Sequence, residues 1–254
     1  MIPIGDDNRD RSSTPILTWL LIAANVIVFV FFQGFGGNAS FTYAYSTVPQ
    51  EILTGRDVVT SDRAMTDSAT GARYRVPGLR ETPIPVFFTI LVSMFMHGGI
   101  AHIAGNMLFL FVFGDNVEDK LGRLRFLLFY LFCGTAATLA HVFVASATGR
   151  DLLVPSLGAS GAISGVLGAY LLLFPRKRVR VLFSFFVTSV PAVVAVGIWF
   201  LFQVISGLGY LGGGTGGGVA YAAHVGGFVA GFATVKLWAA GRRQASRSRS
   251  NYFR

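Results

Sequence analysis

Long apolar runs separated by short charged segments constrain this chain more than any other feature. About 20 apolar residues in a helix cross the hydrocarbon core of a bilayer, and in lipid only helices and closed barrels satisfy their own backbone. Runs of this kind cover residues 15–33, 100–114, 126–147, 156–174, 191–208 and 219–239. With 53% hydrophobic and 13% charged residues, an ordinary soluble domain is excluded. The pattern predicts an all-α membrane protein with a six-transmembrane-helix bundle over residues 15–240.

The connections set its orientation. Residues 1–14 read as a cytoplasmic segment and 34–85 as a long first loop, with 56–82 a flexible insertion. Residues 86–96 are expected at the interface, and His97-Gly98-Gly99 interrupts the run before the second span. Asp115, Glu118, Asp119, Lys120, Arg123 and Arg125 read as a polar turn. After Arg176, Lys177, Arg178 and Arg180, residues 181–189 read as interfacial, and Pro191 suits the first turn of the fifth span. The glycines from Gly209 to Gly218 read as a flexible loop, and the basic tail 241–254 is expected to be disordered. Basic residues in the short loops fall on one side, so both termini are expected in the cytoplasm and the first loop outside.

The net charge of +9 resides in these topology signals, and no basic-aromatic module calls for nucleic acid. Cys133 is the single cysteine, which rules out an intramolecular disulfide and reads as a small buried apolar residue. Residues 1–14, with Asp6, Asp7 and Asp10, are unlike a transit peptide, so a bacterial cytoplasmic (inner) membrane is the expected location.

Polar groups inside the apolar runs carry the functional signal. Ser160 stands in Gly158-Ala159-Ser160-Gly161, about four residues into the fourth span, and His224 about five into the sixth. His102 and Asn106, one turn apart, lie in the first two turns of the second span. All four are expected near one depth and one side of the membrane. Gly161, Gly165 and Gly168, with Gly227 and Gly231, would let the fourth and sixth spans approach closely. A serine hydroxyl becomes a nucleophile when a base removes its proton, and neutral histidine does that near pH 7. Ser160 is therefore the candidate nucleophile and His224 its base. His102, Asn106 and the backbone at Ser160 are candidate oxyanion donors. No acidic residue in the spans would orient His224, so the arrangement reads as a dyad.

These stretches resemble the rhomboid family of intramembrane serine proteases. Gly158-Ala159-Ser160-Gly161 is like the family's GxSG, His102-Ile103-Ala104-Gly105-Asn106 like its HxxxN, and Ala223-His224-Val225-Gly226-Gly227 like its histidine helix. The six-span order and Gly114-Asp115-Asn116-Val117-Glu118 also look like the family. The resemblance implies cleavage of single-pass or polytopic membrane-protein substrates near the extracytoplasmic face, without metal or cofactor. Substrates would enter laterally from the bilayer and carry helix-weakening transmembrane segments. The family's first-loop Trp-Arg pair is missing here, and Ser164 stands where some members pack an aromatic residue on the histidine.

Rival readings remain open. An inactive relative that binds membrane clients need keep neither Ser160 nor His224. A transporter would place its polar groups nearer the midplane, and no inverted repeat is present. A metal site on His97 and His102 lacks a nearby carboxylate, and the two are about 140° apart around a helix. Ser164 and His141 read as structural, while His97 suits either the site or a first-loop anchor.

Overall fold

The computed structural model describes residues 1–66, 71–212 and 221–241. Most of these are helical, and the long helices pack side by side: α1 (Ile16–Ile27, continued as a π-turn over Val28–Phe32), α5 (Ile100–Leu121), α6 (Arg123–Thr148), α7 (Ser160–Leu173), α8 (Ala192–Leu211) and α9 (Tyr221–Ala239). Three of them, α5, α6 and α8, are long and apolar enough to cross a membrane. Ile16–Phe32, Val86–Phe95 and Ser160–Leu173 are shorter apolar helical segments.

The expected all-α architecture needs correction. An N-terminal strand β1 (Ile2–Asp6) pairs antiparallel with β4 (Arg178–Phe183), which pairs with β5 (Phe186–Pro191), giving a three-stranded sheet at the end of the bundle. Residues 181–189 are thus mostly strand. The reason lies in the alternation Arg178-Val179-Arg180-Val181, whose period of two puts both valines in the core and both arginines outside. The supposed flexible insertion contains a second hairpin, β2 (Arg63–Thr66) with β3 (Arg73–Val76), closed at its base by Asp62. That carboxylate accepts from Gly78 N (2.8 Å), pairs with Arg80 (2.8 Å) and also pairs with Arg75.

The polar turn after the second span is likewise helix. Residues 115, 118 and 119 lie on α5, and their carboxylates are buried because they serve the chain entering α1. Glu118 accepts from Leu17 N (3.0 Å) and Thr18 N (2.7 Å), donors that a helix cannot satisfy internally in its first turn. Asp119 accepts from Ser12 N and Ser13 N, and Asp115 pairs with Arg11 at 2.6 Å. Gly122, with φ of 80°, makes the joint to α6.

Asp6 completes this network, accepting from the Tyr170 hydroxyl (2.6 Å) and Asn116 Nδ2 (2.6 Å). Lys177 Nζ donates to Asp7 O at 2.9 Å and to Asn116 Oδ1. Burial pushes the Asp6 carboxyl up to about 6, against the lowering effect of its hydrogen bonds.

The first loop folds over the opposite end, with α2 (Ala39–Tyr45) and α3 (Pro49–Thr54). Thr47 and Ser156 exchange backbone hydrogen bonds (3.0 and 2.8 Å), and Gln50 N donates to Leu152 O (2.9 Å). Residues 152–156, which lead toward α7, are therefore held by the loop. Within α3, burial pushes the Glu51 carboxyl up to about 7. The segment 86–96 forms short turns, including α4 (Thr89–Val92). α8 runs on to Leu211 and takes in Gly209, while the rest of the expected glycine loop, from 213, and the tail from 242 lie outside the described residues.

Candidate active site

Glycine contacts decide how closely α7 and α9 approach. A Cβ added at Gly227 would run into the Gly161 carbonyl, one at Gly231 into the Gly165 backbone, and one at Gly168 into the Phe228 carbonyl. On the other side of α7, a Cβ at Gly161 would stand 2.6 Å from Ala137 Cβ, and one at Gly165 would strike buried Cys133. Backbone meets backbone along this seam, so helices are in contact where larger residues would hold them apart.

Ser160 is the first residue of α7, not a turn inside it, with Ala159 as N-cap. Its Oγ lies 2.8 Å from His224 Nε2. The other imidazole nitrogen, Nδ1, lies 2.7 Å from Gln203 Oε1. A glutamine oxygen only accepts, so this contact puts the proton on Nδ1 and leaves the Nε2 lone pair facing the serine hydroxyl.

The spans hold no acidic residue to orient His224, and a neutral one, Gln203, takes that place. It sits in an apolar run and is one of the buried residues of α8, with Ala192, Ala195 and Val196. Trp199, one turn earlier on the same face, brings its ring to 6.2 Å from that of His224. The aromatic neighbour of the histidine thus comes from α8. Ser164, fully buried, turns back on its own helix and donates to Ser160 O at 2.6 Å.

On the other side of the serine, Gly158 has φ of 130°, and a Cβ there would stand 3.0 Å from both Cε1 and Nε2 of His102. No other residue suits that backbone or that gap. Gly158 N donates to Ser93 O (2.9 Å), and Ser93 Oγ shares a hydrogen bond with Thr47 Oγ1 (2.9 Å), which ties this turn to the first loop. His102 Nδ1 accepts from Gly98 N at 3.3 Å, so its proton belongs on Nε2, the nitrogen near Gly158. Asn106 Nδ2 donates to His102 O at 3.1 Å.

Ser160, His224, His102, Asn106, Gly158 and Trp199 all line one cavity of about 520 Å³. His141 lines it as well, whereas buried His97 does not. Gln33 clamps the His97 backbone from both sides, with His97 N to Oε1 at 2.8 Å and Nε2 to His97 O at 3.0 Å. His97 therefore anchors the end of the first helix to the turn before α5, with its ring 5.1 Å from that of His102. Chemically, the arrangement presents a hydroxyl beside an imidazole acceptor, with donors across the cavity.

The Rhomboid domain is matched over residues 85–240. The chain belongs to the rhomboid family. This rhomboid is 30% identical over 217 residues to rhomboid protease GluP of Bacillus subtilis, covering 84% of this chain and 36% of that protein. It is 36% identical over 120 residues to the mitochondrial presenilin-associated rhomboid-like protein of Bos taurus, covering 43% and 31% respectively. With the mitochondrial rhomboid protein 1 of Saccharomyces cerevisiae it shares 33% over 146 residues, covering 56% and 39%. The chain spans about a third of the length of these relatives.

Proposed function

We propose that this rhomboid is an intramembrane serine endopeptidase in which Ser160 is the nucleophile and His224 the general base. The observation that carries the reading is the 2.8 Å contact of Ser160 Oγ with His224 Nε2 at the end of a helix. In the proposed reaction the Ser160 oxygen attacks the scissile carbonyl carbon while His224 Nε2 takes its proton. The resulting imidazolium keeps its Nδ1 proton on Gln203 Oε1, then gives the Nε2 proton to the leaving amine. Water, activated by the same nitrogen, hydrolyses the acyl-enzyme.

The first helical turn leaves backbone N–H groups without internal partners, and at Ser160 these face the developing oxyanion together with His102 Nε2–H and the Asn106 amide. Substrates are transmembrane segments of single-pass or polytopic membrane proteins. A membrane helix has its backbone fully hydrogen-bonded, so a scissile carbonyl is reached only where the substrate helix unwinds. Six spans with both termini cytoplasmic agree with the loop charges and put Ser160 toward the extracytoplasmic face. The apolar helices make this a membrane protein, and its relatives include mitochondrial rhomboids as well as the Bacillus protease, so the bacterial cytoplasmic membrane expected from the sequence draws no support from them.

The test is cleavage of a transmembrane substrate with a helix-weakened segment in proteoliposomes. Wild type is expected to cut it within the membrane segment, and Ser160→Ala and His224→Ala to leave it intact. Client binding without cleavage by folded wild type would favour the inactive client-binding reading.

A further inference from the structure

The β4–β5 hairpin has two faces. Pairing puts Val179, Val181 and Phe183 of β4 on one face with Val190, Thr188 and Phe186 of β5 opposite them. Val179 and Val181 are fully buried, in the same core as Ala192 and Val196 at the start of α8. Further out on that same face, Phe183 is 63% and Phe186 76% exposed, and Phe185 in the connecting turn is 93% exposed. The face that closes against the end of the bundle therefore continues beyond its rim, with aromatic rings pointing the way the buried valines point. Arg178 and Arg180 occupy the other face, and Arg176 precedes it; all three are exposed.

The hairpin joins the end of α7 to the start of α8, so it lies at the opposite end of α7 from Ser160. Lys177 ties its root to Asn116 of α5, and the short strands keep the tip within about 20 Å of the helix ends. A cluster of exposed aromatic residues of this kind marks an interaction surface. Beside apolar helices that belong in a bilayer, with basic residues on its reverse face, its complement is a lipid leaflet.

We propose that the β4–β5 hairpin is a membrane anchor. Phe183, Phe185 and Phe186 enter the leaflet on the side opposite Ser160, and Arg176, Arg178 and Arg180 meet anionic headgroups. The anchor fixes the base of α8, the helix that carries Gln203 and Trp199.

The test uses the full chain with Phe186→Cys, labelled with an environment-sensitive fluorophore and reconstituted in phosphatidylcholine–phosphatidylglycerol vesicles. Cys133 is fully buried and stays unlabelled in the folded protein. The label is expected to be quenched by nitroxide on lipid acyl chains and shielded from aqueous iodide, while a label at Arg178→Cys is open to iodide. Omitting phosphatidylglycerol is expected to reduce the nitroxide quenching. Full iodide access at position 186 would overturn the anchor, and unchanged quenching without phosphatidylglycerol would overturn the anionic contact. Shielding from both quenchers that grows with the protein-to-lipid ratio would assign the tip to a second copy and also overturn it. None of these readouts depends on proteolysis.

Discussion

Helices α7 and α8 both touch His224, yet they are built in opposite ways. Every residue of α7 from 161 to 170 is buried, and its glycines meet the backbone of α9. α8 exposes Ile198, Leu201, Phe202, Ile205 and Leu208, each by more than half, and packs more lightly on α7 and α9. Ser160 and His224 are thus registered against each other by a seam with no space to give. The group that sets the histidine tautomer is lent by a helix held far less firmly. The geometry of the pair and the readiness of the pair are separable properties.

Gly231→Val attacks the seam where a side chain would meet backbone, which cannot rotate aside. A destabilisation of about 3 kcal/mol or more is expected, read as loss of monodisperse folded protein in detergent; a folded variant with unchanged stability would show that the seam is looser than described. The far end of α7 is pinned by Tyr170 on Asp6, and here pH is the lever. Because the Asp6 carboxyl is raised to about 6 in the folded protein, from an ordinary value of 3.8, the folded state holds its proton more tightly. Stability from this site is fully present below about pH 4 and declines as pH rises to about 6, by roughly 3 kcal/mol, and is level above that. Hydrogen exchange of the β1 amides, corrected for intrinsic rates, should therefore be faster at pH 7.5 than at pH 4.5, and Asp6→Asn should remove the difference.

On α8, Gln203→Leu keeps the volume and loses the acceptor. A fall of about 10- to 100-fold in the rate of Ser160 modification is expected, the value of one buried hydrogen bond, with recovery in Gln203→Glu. Equal losses in the Leu and Glu variants would reduce Gln203 to a packing residue. Phe202→Leu, one position away on the exposed side, should change stability by no more than about 0.5 kcal/mol.

The same contrast explains what could be read in advance. Ser160, His102, Asn106 and His224 stand out because polar groups in apolar runs are costly, and the glycine spacing on two spans announced the seam. Gln203 carries the same signal, but a neutral amide has no charge to mark it as the group that orients a histidine, and its role shows only once its Oε1 meets His224 Nδ1. Asp115, Glu118 and Asp119 have the i, i+3, i+4 spacing of one helix face, yet looked like a turn, since the chain that uses them lies more than 100 residues earlier. Strand β1 had no local signal strong enough, for its pairing with β4 is visible only once α7 brings Arg178–Phe183 beside it.

The most direct measurement is the rate of Ser160 labelling by a fluorophosphonate in the detergent-folded protein. Wild type and Ser164→Ala should label, Ser160→Ala not at all, and His224→Ala about 10²- to 10⁴-fold more slowly. Folded wild type that fails to label, or that labels at the same rate without His224, would contradict an activated serine at the end of α7.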